Sequence, residues 1–182
     1  MGSGWGKWGS QLHNYFMRQF VHMADSQIVS AFPVAELRVD DLLRDWRWLC
    51  PDPVSLVARN AFGDLFLLSP NGKVLWLQVT DGKIDEVVPS ERQFLELLQD
   101  GTRREEWLAE TDMGAAAERG LRPDATQCVA FKIPVVFSES RDVPENVYGA
   151  DLYEQVSFLG DLHWQIASSP DGAKTRLRII GL

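Results

Sequence analysis

Residues 54–88 read VSLVARNAFGDLFLLSPNGKVLWLQVTDGKIDEVV, and the architecture follows from this segment. Short runs of β-branched, leucine and aromatic residues are separated by turn residues, which is the texture of antiparallel strands joined by tight connections. Four strands are predicted: Ser55 to Asn60, Asp64 to Ser69, Lys73 to Thr80 and Lys83 to Val88. The turns fall at Phe62-Gly63, Pro70-Asn71-Gly72 and Asp81-Gly82. Asn-Gly and Asp-Gly are strong hairpin signals because both residues tolerate the left-handed backbone that a short turn requires.

The periodicity on either side of this meander is helical. Upstream, Asp40 and Asp41 precede Leu42, Leu43, Trp46 and Leu49, an acidic first turn followed by helical spacing that should stop near Pro51 and Pro53. Before Pro33, residues Leu12, Tyr15, Phe16, Phe20 and Met23 recur at intervals of three and four, predicting an amphipathic helix from Gln11 to Met23. Met1 to Ser10 is rich in Gly, Ser and Trp and is expected to be a flexible start. Downstream, Ser90 and Gln93 have capping-box spacing for a helix carrying Phe94, Leu95, Leu97 and Leu98, with Gly101 as its end. A second helix is expected from about Arg103 to Arg119, with Gly114 as a possible break and Gly120 and Pro123 as the stop.

Cys128 to Phe137 reads as a buried strand, with Pro134 at an edge or bulge because proline cannot donate to a ladder. The pattern of Asn146 to Phe158 is ambiguous. Leu159 to Ala167 has helical spacing, and Ser169-Pro170-Asp171-Gly172 is a turn into a last strand from Thr175 to Ile180. The expected class is α+β: an antiparallel β-meander sheet with packed helices and an N-terminal helical segment. Its predicted organisation is a flexible N-terminus over residues 1–10, a helical segment over 11–53 and an α+β domain over 54–182.

A length of 182 residues suits one domain, and 45% hydrophobic with 24% charged residues is enough apolar side chain for a core. No run approaches the ~20 apolar residues of a membrane span, and the N-terminus lacks the pattern of an export signal, so a cytoplasmic protein is expected. The two cysteines, Cys50 and Cys128, sit among apolar neighbours and read as buried free thiols in a reducing compartment.

Three histidines are present, His13, His22 and His163, with no His-x-x-x-His or Cys-x-x-Cys spacing, so no metal site is expected. There is no glycine-rich phosphate loop and hence no cofactor is expected. Cys128 with His163 and Asp161 is the one conceivable nucleophile arrangement, but neither residue has a glycine-rich elbow or oxyanion signature beside it. Adjacent acids such as Asp40-Asp41 and Glu105-Glu106 point apart on a helix and do not converge on one substrate atom. These features point to a binding protein without catalytic residues. Of the tryptophans, Trp46, Trp76, Trp107 and Trp164 fall within apolar patterns and are expected in the core, and Trp48 is the candidate for exposure.

The formal charge of −8 is unevenly distributed. Residues 1–80 carry seven charges of each sign; residues 81–118 carry eleven acids and four bases, and residues 138–161 carry six acids and one base. Two acidic segments brought together by the fold would make a negative face that attracts basic partners and repels nucleic acid phosphate. A solvated surface is the other reading of the same residues. The candidate partner contacts are Glu105, Glu106, Glu110, Asp112, Asp142, Glu145, Asp151 and Glu154.

Three segments carry a family resemblance: Asn60-Ala61-Phe62-Gly63-Asp64-Leu65-Phe66 running into Gly72-Lys73-Val74-Leu75-Trp76-Leu77; Gln127-Cys128-Val129-Ala130-Phe131-Lys132-Ile133-Pro134; and Leu159-Gly160-Asp161-Leu162-His163-Trp164-Gln165-Ile166 before Pro170-Asp171-Gly172. Over about residues 54–180 the chain resembles the C-terminal domain of type VI secretion immunity proteins that protect against DNase effectors. Larger members of that family carry a GAD-like domain in front, for which the residues before Val54 are too few. The resemblance implies a cytoplasmic immunity protein that binds a basic nuclease toxin, in a 1:1 heterodimer, without touching nucleic acid or membrane. An adaptor that delivers an effector without inhibiting it is the alternative, suggested by the same acidity and the Gln11 to Met23 pattern.

Overall fold

The computed structural model of the chain describes residues 34–141 and 144–170. The expected helix from Gln11 to Met23, the strand from Thr175 to Ile180 and the candidate contact Asp142 lie outside the described residues. Within them the chain is α+β, as expected: an antiparallel four-stranded sheet, a two-stranded sheet and five α-helices.

Strands β1 (Ser55–Arg59), β2 (Leu65–Leu68), β3 (Val74–Gln78) and β4 (Lys83–Val88) form the larger sheet in chain order. Each lies within its predicted run, and three end a residue or two short of it because turn residues take over the hydrogen bonding. The Gly72 N–H donates to the Ser69 carbonyl and the Gly82 N–H to the Gln78 carbonyl, both at 2.9 Å. Gly82 is at φ +67°, and a Cβ there would fall 2.2 Å from His163 Nδ1. Only glycine closes this turn against the imidazole.

Both faces of the sheet are covered, which explains why β2 reads Leu-Phe-Leu-Leu rather than alternating apolar and polar. On one face Leu65, Leu67 and Leu77 pack with Leu42 of α1 (Val39–Leu42), with Trp46, and with residues of a long C-terminal helix. On the other, Phe66 and Val74 pack with Phe94 of α2 (Glu91–Leu97) and with Trp107 and Leu108 of α3 (Gly101–Leu108). Ring centroids there are 5.0 Å apart for Phe66 and Phe94, 5.1 Å for Phe94 and Trp107 and 5.6 Å for Phe66 and Trp76.

Several helix boundaries differ from expectation, each for a local reason. The predicted helix from Asp40 to Leu49 is a four-residue α1 followed by a 3-10 turn, Arg44–Trp46. Arg38 offers no side-chain cap, and the Trp46 indole is drawn to the Val156 carbonyl, accepting from Nε1 at 2.8 Å. Ser90 caps α2 through Gln93 N–H, as its spacing predicts. Gly101 does not end a helix but starts α3, because Asp100 is an N-cap that accepts from Arg103 N–H at 2.9 Å. The expected helix from Arg103 to Arg119 breaks at Ala109, which is left-handed at φ +52°, and not at Gly114. It resumes as α4 (Glu110–Glu118), whose first turn is capped by the Glu105 carboxylate accepting from Thr111 N–H.

Strand β5 (Gln127–Phe131) stops well before Pro134, which instead accepts from Phe137 N–H in a following turn. The ambiguous segment resolves into a 3-10 turn (Pro144–Asn146), strand β6 (Val147–Asp151) and the start of α5 (Leu152–Ala167). β5 and β6 pair antiparallel in unbroken register, Phe131 opposite Val147 through Gln127 opposite Asp151. Helix α5 begins at Leu152, seven residues earlier than predicted, because Asp151 caps it by accepting from Glu154 N–H at 3.0 Å.

Helix α5 lies against the 3-10 turn at Gly160, where a Cβ would come within 2.7 Å of the Asp45 carbonyl oxygen. Trp164, expected in the core, is 49% exposed. Its neighbour His163 takes the buried position against the Trp46 ring, 5.8 Å between centroids, and the helical turn then directs Trp164 outward. Trp48, whose exposure the sequence leaves open with burial the favoured reading, is exposed and stacked on Trp46.

Candidate functional site

The turn Asn60-Ala61-Phe62-Gly63-Asp64 joins β1 to β2 and is the point through which the chain's layers meet. Asn60 Oδ1 accepts from the N–H groups of Phe62 and Asp64, both at 3.0 Å, while its Nδ2 donates to Asp64 Oδ2 and to the Trp107 carbonyl at the end of α3. Asp64 Oδ1 accepts from Val79 N–H at 2.9 Å, tying the turn to the end of β3. The Ala61 carbonyl accepts from Val129 N–H at 2.8 Å, tying it to β5. Gly63 leaves room for Leu152 and Val156 of α5.

Arg59 supports this junction from beneath. It is fully buried, and its guanidinium donates to the carbonyls of Asn60, Asp124, Ala125 and Gln127 at 2.7–3.1 Å. Burial pulls its pKa down to about 10, which leaves it charged at neutral pH.

Two of the three segments that carry the family resemblance meet here, and the third packs close by: Asn60 to Asp64 contacts Val129 directly, and His163 Nε2 lies 3.1 Å from the Thr80 carbonyl just beyond β3.

The junction also makes neighbours of the two acidic segments. Met113 and Ala116 of α4 share one apolar cluster with Ala61 and Val129, and Val147 of β6 packs against it. Of the candidate contacts, Glu106 pairs with Arg103 at 2.6 Å, and Glu110 holds Arg104 at 2.8 and 3.0 Å. Glu105 caps α4 and Asp151 caps α5, so both are committed to helix ends. Asp112 is partly buried in the first turn of α4. Glu145 and Glu154 are exposed and make no ion pair among the described residues.

The Cys128, His163 and Asp161 arrangement is not assembled. Cys128 lies in the core, where burial pushes its thiol up to about 12 against the opposing pull of Arg59. His163 contacts Thr80 and Trp46, burial lowers its pKa, and Asp161 accepts from Gln165 Nε2 at 2.7 Å. Among the described residues no cluster of His, Cys, Asp and Glu could hold a metal ion. A small cleft between Phe62, Thr80, Phe131, Pro134 and Gln155 holds about 10 Å³ of water-sized space, room for a single water and not for a small-molecule ligand. No described helix is long and apolar enough to cross a membrane.

Sequence reasoning missed Arg59 and the closing role of Asp64. A lone arginine at a strand end carries no sign of burial, whereas Asp151 with Glu154 has the spacing of a capping box and could have placed the start of α5.

No family model, curated protein or solved structure matches the chain.

The buried Asp64 gives the junction a pH dependence. Burial raises its pKa from 3.8 to about 6, opposed by the hydrogen bonds from Asn60 and Val79 and reinforced by Asp81. A carboxyl whose folded pKa lies above its unfolded value binds a proton more tightly in the fold. Its contribution to stability is therefore greatest below pH ~4 and declines as pH rises to ~6. Asp64→Asn removes the titration, so the stability gap between wild type and variant, measured by urea unfolding at pH 4.5 and 7, should change by ~2 kcal/mol in favour of wild type at the lower pH. A gap independent of pH would show that Asp64 titrates normally.

Proposed function

We propose that this chain is a type VI secretion immunity protein that binds a nuclease toxin in the cytoplasm. It covers the toxin's DNA-binding or catalytic surface and contributes no chemistry of its own. What carries the reading is the meeting of the two acidic segments around the Asn60 to Asp64 turn, with Glu145 and Glu154 exposed and without an ion pair there. A nuclease must present positive charge to hold DNA, so a negative surface on a small folded domain can compete for that ground. The resembling segments support the same reading, since two of them meet at that turn and the third packs close by.

The test is a plasmid-cleavage assay on the host's candidate nucleases co-expressed with this chain. Stoichiometric complex formation with loss of cleavage supports neutralisation. A complex that cuts at the full rate is an adaptor's complex and overturns it. Reversing Glu106, Glu145 and Glu154 together to lysine is expected to weaken the complex about 10- to 100-fold at low salt, a difference that narrows as salt screens the charges. Equal affinity of wild type and triple variant across the salt series would reject the acidic-surface account.

A further inference from the structure

We infer that the outer edge of β6 is a docking strand that takes up an extended, basic segment of the partner by backbone pairing. The assignment begins with the ladder between β5 and β6. Lys132 N–H donates to the Asn146 carbonyl at 2.8 Å and Leu152 N–H to the Thr126 carbonyl at 2.9 Å. The register between these two bonds is unbroken. In an antiparallel pair, residues that exchange hydrogen bonds alternate with residues whose backbone groups point away. Tyr148 and Ala150 therefore bond inward to β5, and the N–H and C=O groups of Val147 and Gly149, with the N–H of Asp151, point outward.

The same parity holds across the pair. The outward groups of β5 are used: Val129 N–H reaches the Ala61 carbonyl, and the Gln127 carbonyl accepts from Arg59. The outward groups of β6 have no strand beside them among the described residues, where β5 and β6 form a sheet of two.

Proteins commonly protect such an edge with charge, proline, a bulge or a covering element. Edge strand β4 carries Lys83, Asp85 and Glu86, and β1 has an irregular register between Leu56 and Ala58. Strand β6 has none of these at its centre. Gly149 is exposed, a Cβ there would meet nothing within 4 Å, and Tyr148 beside it is 39% exposed. An added strand would find unpaired backbone groups, an aromatic ring to lie on and no steric obstacle.

Charge selects the occupant. Glu145, Asp151 and Glu154 are exposed at the two ends of β6. A second copy pairing antiparallel through this edge would bring two such sets of acids together, and like charges across a sheet are unfavourable. A partner strand bearing lysine or arginine meets them favourably. The inference rests on the proposed function only in identifying that basic partner as a nuclease.

The experiment reads backbone amide exchange in the full chain by NMR, alone and with a short synthetic peptide of alternating valine and lysine, against a control in which glutamate replaces lysine. In the free chain the amides of Val147, Gly149 and Asp151 should exchange faster than those of Tyr148 and Ala150, and the lysine peptide should slow them about tenfold or more while the glutamate peptide does not. Gly149→Pro removes an outward N–H without touching an inward bond, and it should abolish that protection. Gly149→Lys, which keeps the N–H but repels a basic strand, is the second variant should proline disturb the fold. Slow exchange at all five amides in the free chain would mean that the edge is already occupied by the chain itself, and would overturn the inference. Protection by both peptides, or by neither, would also overturn it. A nuclease neutralised equally by wild type and Gly149→Pro removes the docking strand and leaves the immunity reading standing. Protection by the lysine peptide in a chain that binds no nuclease does the reverse.

Discussion

Replacing Arg59 with methionine is expected to destabilise the chain by about 3–5 kcal/mol, enough to leave a domain of ordinary stability marginal or unfolded. Methionine roughly preserves the apolar length of the side chain, so the loss isolates the guanidinium. That group donates to four carbonyls from two separate segments, residue 60 on the β1–β2 turn and residues 124–127 leading into β5. Without it the Ala125 and Gln127 carbonyls lose a charged donor, while those of Asn60 and Asp124 keep the N–H groups of Gly63 and Gln127; an acceptor left unsatisfied in a buried setting costs about 1–3 kcal/mol. Lysine keeps the charge but lacks the planar fork that reaches several acceptors at once, so Arg59→Lys should fall between wild type and methionine. Urea unfolding gives the comparison, and a loss below about 1 kcal/mol for Arg59→Met would mean that the junction is held by Asn60 and Asp64 alone.

The second large effect is expected at Phe66. Its ring is fully buried and touches Trp76, Phe94 and Trp107, with centroids 5.6, 5.0 and 6.0 Å away. Phe66→Ala removes the shared neighbour of three aromatic side chains on two helices and a strand, and the rigid rings cannot close the gap. A cost of about 4 kcal/mol follows from lost burial and the residual cavity. Phe66→Leu fills most of that volume and should cost about half as much. If leucine unfolds at the same urea concentration as wild type, the aromatic contacts contribute nothing beyond bulk; if alanine does too, the site tolerates the cavity and the expected loss is wrong.

The fold was legible in the sequence where short-range chemistry controls it. The meander could be read strand by strand because Asn71-Gly72 and Asp81-Gly82 carry their turn geometry with them, and Ser90 could be read as a cap from its spacing to Gln93. Distant contacts erased other signals. The helix expected after Asp40 gives way to a 3-10 turn because Trp46 bonds to Val156, 110 residues later. Trp164 has core-like spacing and is exposed because His163 occupies the inner position. Strand β5 ends at Phe131, short of the expected Phe137, because Ile133, Val135 and Val136 continue the apolar run without continuing the ladder. Of the site, the acidic segments were visible by counting charges, but which acids cap helices and which stand free depends on backbone geometry that composition does not record. The outward parity of β6 could not be read at all from a segment whose pattern is ambiguous.

The two coverings of the larger sheet reach it at very different times in synthesis. Strands β1 to β4 and helices α2 and α3 follow one another closely, so one layer can close around Phe66 while the rest of the chain is still being made. On the other face Leu42, Leu43 and Trp46 precede the sheet and can pack on Leu65, Leu67 and Leu77 early, but that layer is completed when α5 has left the ribosome, and contacts that far apart in the chain form slowly. A nascent copy therefore passes through a stage with a half-covered leucine surface, during which a holding chaperone would have its natural target.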